Sequence, residues 1–394
     1  MRQRRIPATF MRGGTSKALV FHASELPEDR ATWPDLFRAA IGANDPYGRQ
    51  LDGMGGGISS LSKVCVVAPS ARDDADVDYS FFQLSPSTNT VDESANCGNM
   101  SSAMGPFAVD EGLVETSGNE GLVRIFNTNT QKIIISRFGL DDGHAAVDGE
   151  FFLPGVQGTG SRVKLDFLKP GGARTGKLLP TGSVLDVLTL PDGSTIDASC
   201  VDAANPCVFV RAADVGFTAT ESPMVLDTET ALHKRLEDIR RAASVAMGLA
   251  TSLEEAATVT SVPKVAFVAP PADSVTLDGK PMPAEDVDLL ARMISVGNAH
   301  RAVPATGGLC IAVAAKIEGT IVHEVTRPGA DVRVGQPSGT TVVDADVYRQ
   351  VDGAWHAETV SVFRTQRRLM DGFVYVSAAK TPDLAAAPLS QAAE

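Results

Sequence analysis

No stretch of this 394-residue chain approaches the roughly 18 consecutive apolar residues of a membrane span. The opening MRQRRIPATFMRGG carries basic residues without an apolar run behind them, so no signal peptide is read and a cytoplasmic location is expected. CxxC pairs are missing. The five cysteines, Cys65, Cys97, Cys200, Cys207 and Cys310, have no framework spacing, and the six histidines do not cluster. Neither a disulfide framework nor a metal centre is supported, and reduced thiols are expected. The net charge is −13, which argues against a broad nucleic-acid surface, since such a surface needs a basic stripe. A local pocket can still be positive, so an anionic substrate stays open. Apolar residues are abundant, at 43% of the chain, enough for a sizeable core in two or three domains.

Short strand-like runs dominate: Val64–Ala68, Val77–Leu84, Leu122–Asn127, Lys132–Phe138 and Arg162–Leu168. The same texture returns at Ala198–Arg211, Lys264–Ala269, Thr320–Val325, Thr340–Val347 and Thr359–Phe363. Helices are fewer. Ala31–Ile41 has Pro34 near its start and Gly42 past its end. Thr228–Met247 sets Leu232, Leu236, Ile239, Ala243 and Met247 on one face. Two other helices, one following Cys97 and one following Thr306, carry small and apolar residues all round, the pattern of a helix buried on every side. Each is introduced by a Gly-containing turn, Ala95–Asn99 and Pro304–Gly308. Each half of the chain also has a polar turn running into an apolar strand, GGTSKALVF from Gly13 and ANPCVFV from Ala204. This is a degenerate internal duplication. It predicts an α+β fold of two pseudo-repeated lobes, each with antiparallel strands around a central buried helix. The expected domains are 1–182, with a C-terminal strand in 367–394 returning to it, and 183–366; Lys169–Gly182 is the expected linker.

Four constellations point to chemistry. In Asn96-Cys97-Gly98-Asn99 a helix begins, where unpartnered amides and the positive end of the dipole suit a carboxylate or enolate oxygen. A thiol placed at such an end is favoured as thiolate. The run Asp52–Lys63 combines glycines, which allow close backbone approach, with hydroxyls and ends on Ser62 and Lys63. It lacks the order of a phosphate loop, since Val64 follows the lysine, so a nucleotide site is rejected. Arg12, Gly14, Thr15 and Ser16, in the stretch Met11–Lys17, make a carboxylate nest or simply a turn. Thr306, Gly307 and Gly308 open the second helix, a place for a second carboxylate, with His300 upstream reading most simply as structural.

At these residues the chain resembles the 2-methylaconitate cis–trans isomerase (PrpF) family, with relatives acting as 4-oxalomesaconate tautomerase and methylitaconate isomerase. The matching stretches are MRGGTSK (Met11–Lys17), DPYGRQLDGMGG (Asp45–Gly56), SSLSK (Ser59–Lys63), NCGN (Asn96–Asn99), PKVAFVAPP (Pro263–Pro271) and QPSGT (Gln336–Thr340). The resemblance implies a diaminopimelate-epimerase-like fold with a site between two lobes, and a last strand around Met370–Val376 returning to the first. It puts the family's catalytic lysine on Lys63 and its active-site cysteine on Cys97. The second thiol of diaminopimelate epimerase falls on Ala305, so a two-thiol racemisation is not expected.

The function expected is therefore a cofactor-independent 1,3-allylic proton shift or cis–trans isomerisation of an unsaturated tricarboxylic acid. Lys63 is the preferred acid–base group and Cys97 the second acid–base or positioning group. Arg12, Gly14, Thr15, Ser16, Ser62, Asn96, Gly98, Asn99, Thr306, Gly307 and Gly308 are the binding candidates. The rivals are oxalomesaconate tautomerase or aconitate isomerase, an amino-acid epimerase of the same fold, and a non-catalytic accessory protein to an aconitase-like dehydratase. A polycarboxylate is the expected partner and a homodimer is left open; no nucleic acid, membrane, metal or cofactor is expected.

Overall fold

The computed structural model describes residues 3–93, 96–259, 262–295 and 298–382. It divides into two compact units, Met1–Leu165 with Arg364–Glu394, and Asp166–Phe363.

The first unit strings together six strands: β1 (Gln3–Gly13), β2 (Ser16–His22), β3 (Lys63–Pro69), β4 (Val77–Leu84), β5 (Glu120–Asn127) and β6 (Lys132–Asp141). Successive strands are neighbours, joined antiparallel, parallel, antiparallel, parallel, antiparallel. Parallel neighbours cannot be joined by a tight turn and need a crossover. Two helices lie on the crossovers: α1 (Trp33–Ile41) between β2 and β3, and α2 (Gly98–Asp110) between β4 and β5.

In the second unit β7 (Thr195–Ala203), β8 (Asn205–Arg211), β9 (Lys264–Ala269), β10 (Leu289–Ser295), β11 (Val332–Gln336) and β12 (Gly339–Arg349) follow the same alternation. Its crossovers carry α3 (Thr230–Ala246) and α4 (Ala305–Lys316). The duplication read from the sequence is thus present strand for strand. A further strand, β13 (Trp355–Arg364), pairs antiparallel with β12. The last, β14 (Gln366–Ser377), pairs antiparallel with β1 along its whole length, so the chain ends back in the first unit.

Packing follows strand alternation. In the first unit Leu19, Phe21, Val64, Val66, Phe82 and Leu84 form one apolar face, on which α1 lays Leu36, Phe37 and Ile41. The Phe37 and Phe82 rings meet edge to face at 4.9 Å. Emptying such a fully buried ring site costs about 3–5 kcal/mol. In the second unit Val208, Val210, Val265, Phe267, Leu290 and Ile294 face α3 through Leu232, Leu236, Ile239 and Ala243. The opposite strand faces belong to the buried helices. Along α2 every residue but Asn99 and Asp110 is buried, and α4 is buried from Gly307 to Ala315.

Several expectations need correction. The strands are not all antiparallel, because two helical crossovers per unit make two parallel joins. Ala198–Arg211 is a hairpin rather than one strand: Ala204 has φ +60° and turns the chain between β7 and β8. Thr320–Val325 is helical over Ile321–Val325 despite its β-branched residues, because the Thr320 hydroxyl caps the His323 amide. The segment Lys169–Gly182 is folded into the second unit: Asp202 accepts from the amides of Arg174 and Thr175, and the Lys169 amide donates to the Glu358 carbonyl. The unit boundary consequently falls at Leu165 rather than 182, and the return begins at Arg364 rather than 367. Within the segment expected to return, 367–394, residues 383–394 lie outside the described residues, as does Ala95 of the first helix turn.

Candidate active site

The first unit gathers ten of the thirteen candidates. Lys63 is the first residue of β3, not the residue before it, and is buried. Its partner in the antiparallel register is Gln83 on β4. The Gln83 amide nitrogen donates to the carbonyls of Ser59, Ser62 and Leu84, which turns its oxygen toward Lys63 Nζ at 2.5 Å. The ammonium also stands 5.0 Å from the centre of the Phe81 ring. Among the described residues Lys63 thus has neutral partners and no carboxylate in an ion pair with it.

Cys97 is the N-cap of α2, with extended backbone angles and no side-chain cap bond, so its thiol is not spent on the helix end. It is partly exposed, whereas the other four thiols are buried. Cys65, two residues along β3 from Lys63 and so on the same face, links the two. Burial pushes its thiol well up, Cys97 pushes it further, and the Tyr79 hydroxyl and the Lys63 ammonium pull it back. Tyr79, 3.8 Å from Cys65, is likewise held neutral by burial and by both cysteines. Cys65 and Tyr79 therefore form a neutral pair that feels the charge of Cys97, with Lys63 acting on Cys65 as well.

The turn between β1 and β2 abuts the same helix start. Gly14 has φ +51°, and a Cβ there would stand 2.4 Å from Asn99 Oδ1, so only glycine fits. Asn99 Nδ2 donates to Thr15 Oγ1 at 2.9 Å, and Asn99 Oδ1 accepts from Arg364 Nε at 3.0 Å. Arg364 is buried, and burial lowers its pKa to about 10 against an opposing pull from Cys97. A guanidinium beside Cys97 and Asn99 adds positive charge to that of the helix end. Arg12 closes the turn by donating to the carbonyls of Gly14 and Thr365 and to the Thr365 hydroxyl. Ser16 is buried at the start of β2, Gly98 opens α2, and Asn96 accepts from the Ser101 hydroxyl.

The glycine-rich run is built around the chain itself. Asp45 accepts from the amides of Tyr47, Arg49 and Gln50, which lowers its pKa. Gln50 Oε1 then accepts from the Gly57 amide and the Ser62 hydroxyl. A Cβ on Gly55 would strike Gln50, and one on Gly53 would strike Gly42. Close approach in this run is thus to Gln50 and to the end of α1, and the Ser62 hydroxyl is engaged within it.

Thr306, Gly307 and Gly308 sit together in the first turn of α4, in the second unit. The helix starts at Ala305, one residue before Thr306, and its N-cap is Pro304, so no thiol stands at this end. Gly307 packs beneath Met293, where a Cβ would be 2.5 Å from its sulfur. The loop ahead is fixed by Gln336, whose side-chain oxygen accepts from the Val303 amide while its nitrogen donates to Thr341 Oγ1 at 2.6 Å. The stretch Gln336–Thr340 therefore acts by setting the approach to α4.

The profile of the family described as PrpF protein matches residues 3–377. The chain belongs to the PrpF family. Over 383 residues it is 40% identical to 3-methylitaconate isomerase of Eubacterium barkeri, covering 96% of this chain and 99% of that one. With 2-methyl-aconitate isomerase of Cupriavidus necator the identity is 40% over 388 residues, covering 95% and 98%. A crystal structure of methylitaconate-delta-isomerase superposes with a TM-score of 0.88 at 39% identity over 100% of both chains. The two-lobed, epimerase-like α+β fold and the assignment of the chain as an isomerase follow.

Among the described residues no three His, Cys, Asp or Glu side chains gather as metal ligands, and no helix is long and apolar enough to cross a membrane. Sequence reasoning missed Arg364, Gln83, Cys65 and Tyr79. Alternation along β3 and β4 puts Cys65 on the face of Lys63, so that signal was available once the strands were placed. Nothing local marks Arg364, which reaches Asn99 only because β14 returns to β1.

Proposed function

We propose that this PrpF-family protein catalyses a 1,3-allylic proton shift or cis–trans isomerisation of an unsaturated tricarboxylic acid of the 2-methylaconitate type, in the cytoplasm and without a bound cofactor. The observation that carries this reading is a buried lysine, Lys63, on the same strand face as Cys65, in the same unit as a partly exposed thiol, Cys97, at a helix start that holds Arg364 and has no side-chain cap.

In this mechanism the Lys63 amine takes a proton from the carbon next to the conjugated system. The C–H bond breaks, an N–H bond forms, and the electron pair moves into a dienolate. The amides of Gly98 and Asn99 and the Arg364 guanidinium stabilise the oxygen on which that charge develops. The ammonium, which needs no carboxylate partner of its own, then offsets the intermediate while holding the proton. Handing the proton to the far carbon, or rotating about the weakened bond before returning it, gives the isomer with no net oxidation. Cys97 serves as second proton carrier or orients the substrate. An epimerase of the same fold is less well supported, because Pro304 and Ala305 occupy the second helix start.

Proton NMR in deuterated water tests the reading. Incubated with methylaconitate, aconitate and methylitaconate in turn, the protein is expected to move the double bond of at least one and to exchange its allylic protons. Neither change with any of these acids would reject the function.

A further inference from the structure

The second unit buries a guanidinium that the isomerase reading leaves unused. Arg292 lies on β10 between Leu290 and Ile294, both of which face α3. Alternation puts Arg292 on that face too, and its register partner Phe267 belongs to the same apolar cluster. Met293, the next residue, points the other way and meets Gly307 of α4. The sheet of this unit therefore separates Arg292 from the helix start that holds Thr306, Gly307 and Gly308.

Arg292 is 1% exposed. Two backbone carbonyls hold it: Nε donates to that of Glu221 at 2.7 Å and Nη1 to that of Ala291 at 3.0 Å. Among the described residues Nη2 has no acceptor, and no carboxylate forms an ion pair with the group. Arg240, also deeply buried in this unit, engages all three nitrogens, on Glu237 and on the carbonyls of Ala256, Val259 and Val262. Burial lowers the Arg292 pKa to about 10, against an opposing pull from Glu221, so the group stays charged at neutral pH. A buried cation with unused donors is costly unless something accepts from them.

Arg292 also lines a cavity of about 100 Å³ whose walls all belong to the second unit. That is the volume of about three waters, or of one carboxylate on a short carbon chain. Ser222 stands in the same wall; its hydroxyl oxygen accepts from the Val225 amide, and its proton goes to no described residue. Met224, Val275 and Leu277 add exposed apolar surface to the lining. Glu221 lines the cavity as well, but its oxygens do not take up the Arg292 donors. Oε1 accepts from the Thr218 amide and hydroxyl, and Oε2 is sealed without a partner. Burial raises the Glu221 pKa, and the Thr218 hydrogen bonds and Arg292 outweigh it, which keeps the carboxylate ionised. One negative charge thus stands by the cavity already, and a ligand carrying two would meet repulsion.

We propose that this cavity is a second ligand site, in which Arg292 and Ser222 hold the carboxylate of a small aliphatic monocarboxylic acid while Met224, Val275 and Leu277 cover its chain. The site stands whether or not the isomerase reading does.

Titration calorimetry on the full chain tests it with three probes: butyrate, its neutral analogue butyramide, and the dianion succinate. Butyrate is expected to bind with a Kd on the order of 1 mM, the range open to a ligand of so few atoms. Butyramide should bind at least about 10-fold more weakly, because a hydrogen bond to a charged group is worth about 10- to 100-fold in affinity. Succinate should also bind more weakly than butyrate. Arg292→Met is expected to weaken butyrate by about 10- to 100-fold, and Arg292→Lys to recover part of the loss. If Arg292→Met does not fold, Leu277→Glu carries the test, since Leu277 is exposed and a carboxylate there repels the ligand at the mouth. Butyrate affinity unchanged in folded Arg292→Met, or in Leu277→Glu, would overturn the proposal. So would equal binding of butyrate and butyramide, succinate binding as tight as that of butyrate, or no binding of butyrate at all.

Discussion

The two units share six strands, two crossovers and a buried helix each, yet their helix starts differ. Helix α2 begins at a partly exposed thiol with Arg364 and Asn99 beside it, and α4 begins at Pro304 and Ala305. The lysines differ as well: Lys63 is clamped by Gln83, and Lys264 has no such partner among the described residues. Duplication thus supplied two copies of one scaffold, while the side chains at equivalent positions diverged. A racemase drawing on both helix ends would call for a thiol at each.

The largest effect that bears on this asymmetry is expected at Lys63. Lys63→Met keeps the stem and removes base and charge together. General acid–base catalysis is typically worth about 10²–10⁴-fold, and lost charge stabilisation adds to it, so turnover should fall by at least about 10³-fold with the fold intact. Activity and deuterium exchange near wild-type rates would move the base to Cys97 and leave Lys63 a binding group.

A smaller effect compares the thiols of the two helices. Cys97 is partly exposed at a helix N-terminus, and Cys310 is buried inside α4 with its thiol pushed well up by burial and by Cys207. Iodoacetamide followed by peptide mass mapping should mark Cys97 first and Cys310 last, with tricarboxylate protecting Cys97. Uniform labelling of all five thiols, or labelling indifferent to ligand, would reduce Cys97 to a packing residue.

The smallest effect is on acid stability, and it belongs to the second unit. His300 has a folded pKa of about 4 against an ordinary 6.5, lowered by burial and then by Lys264. Above pH 6.5 the ring is neutral in both folded and unfolded chains, and its contribution to stability is fully present. As pH falls from 6.5 toward 4, the unfolded chain takes up a proton that the folded one refuses, so stability declines across that window. His300→Gln should flatten this part of a urea-midpoint profile against pH. An unchanged slope would mean that His300 titrates freely.

The sequence by itself determined a good deal. Apolar periodicity and end signals placed α1 and α3 within a few residues, because Pro34, Gly42 and the stripe Leu232, Leu236, Ile239 and Ala243 act through local geometry. Small and apolar residues all round α2 and α4 announced two buried helices, and their flanking turns announced the duplication. Lys63, Cys97 and the turn around Gly14 stood in short motifs whose chemistry can be named from neighbouring residues. Tertiary structure decided the rest. Thr320–Val325 became a helix because a side-chain cap outweighed the weak β preference of its residues. The glycine-rich run closed on Gln50 rather than on open space. Arg364 met Asn99 only through the pairing of β14 with β1, and Lys264 took its place only through the register of β8 with β9. Strand register and the return of a distant segment are contacts between residues far apart in the chain, so no local pattern encodes them, and they set which of the duplicated positions face the buried helices.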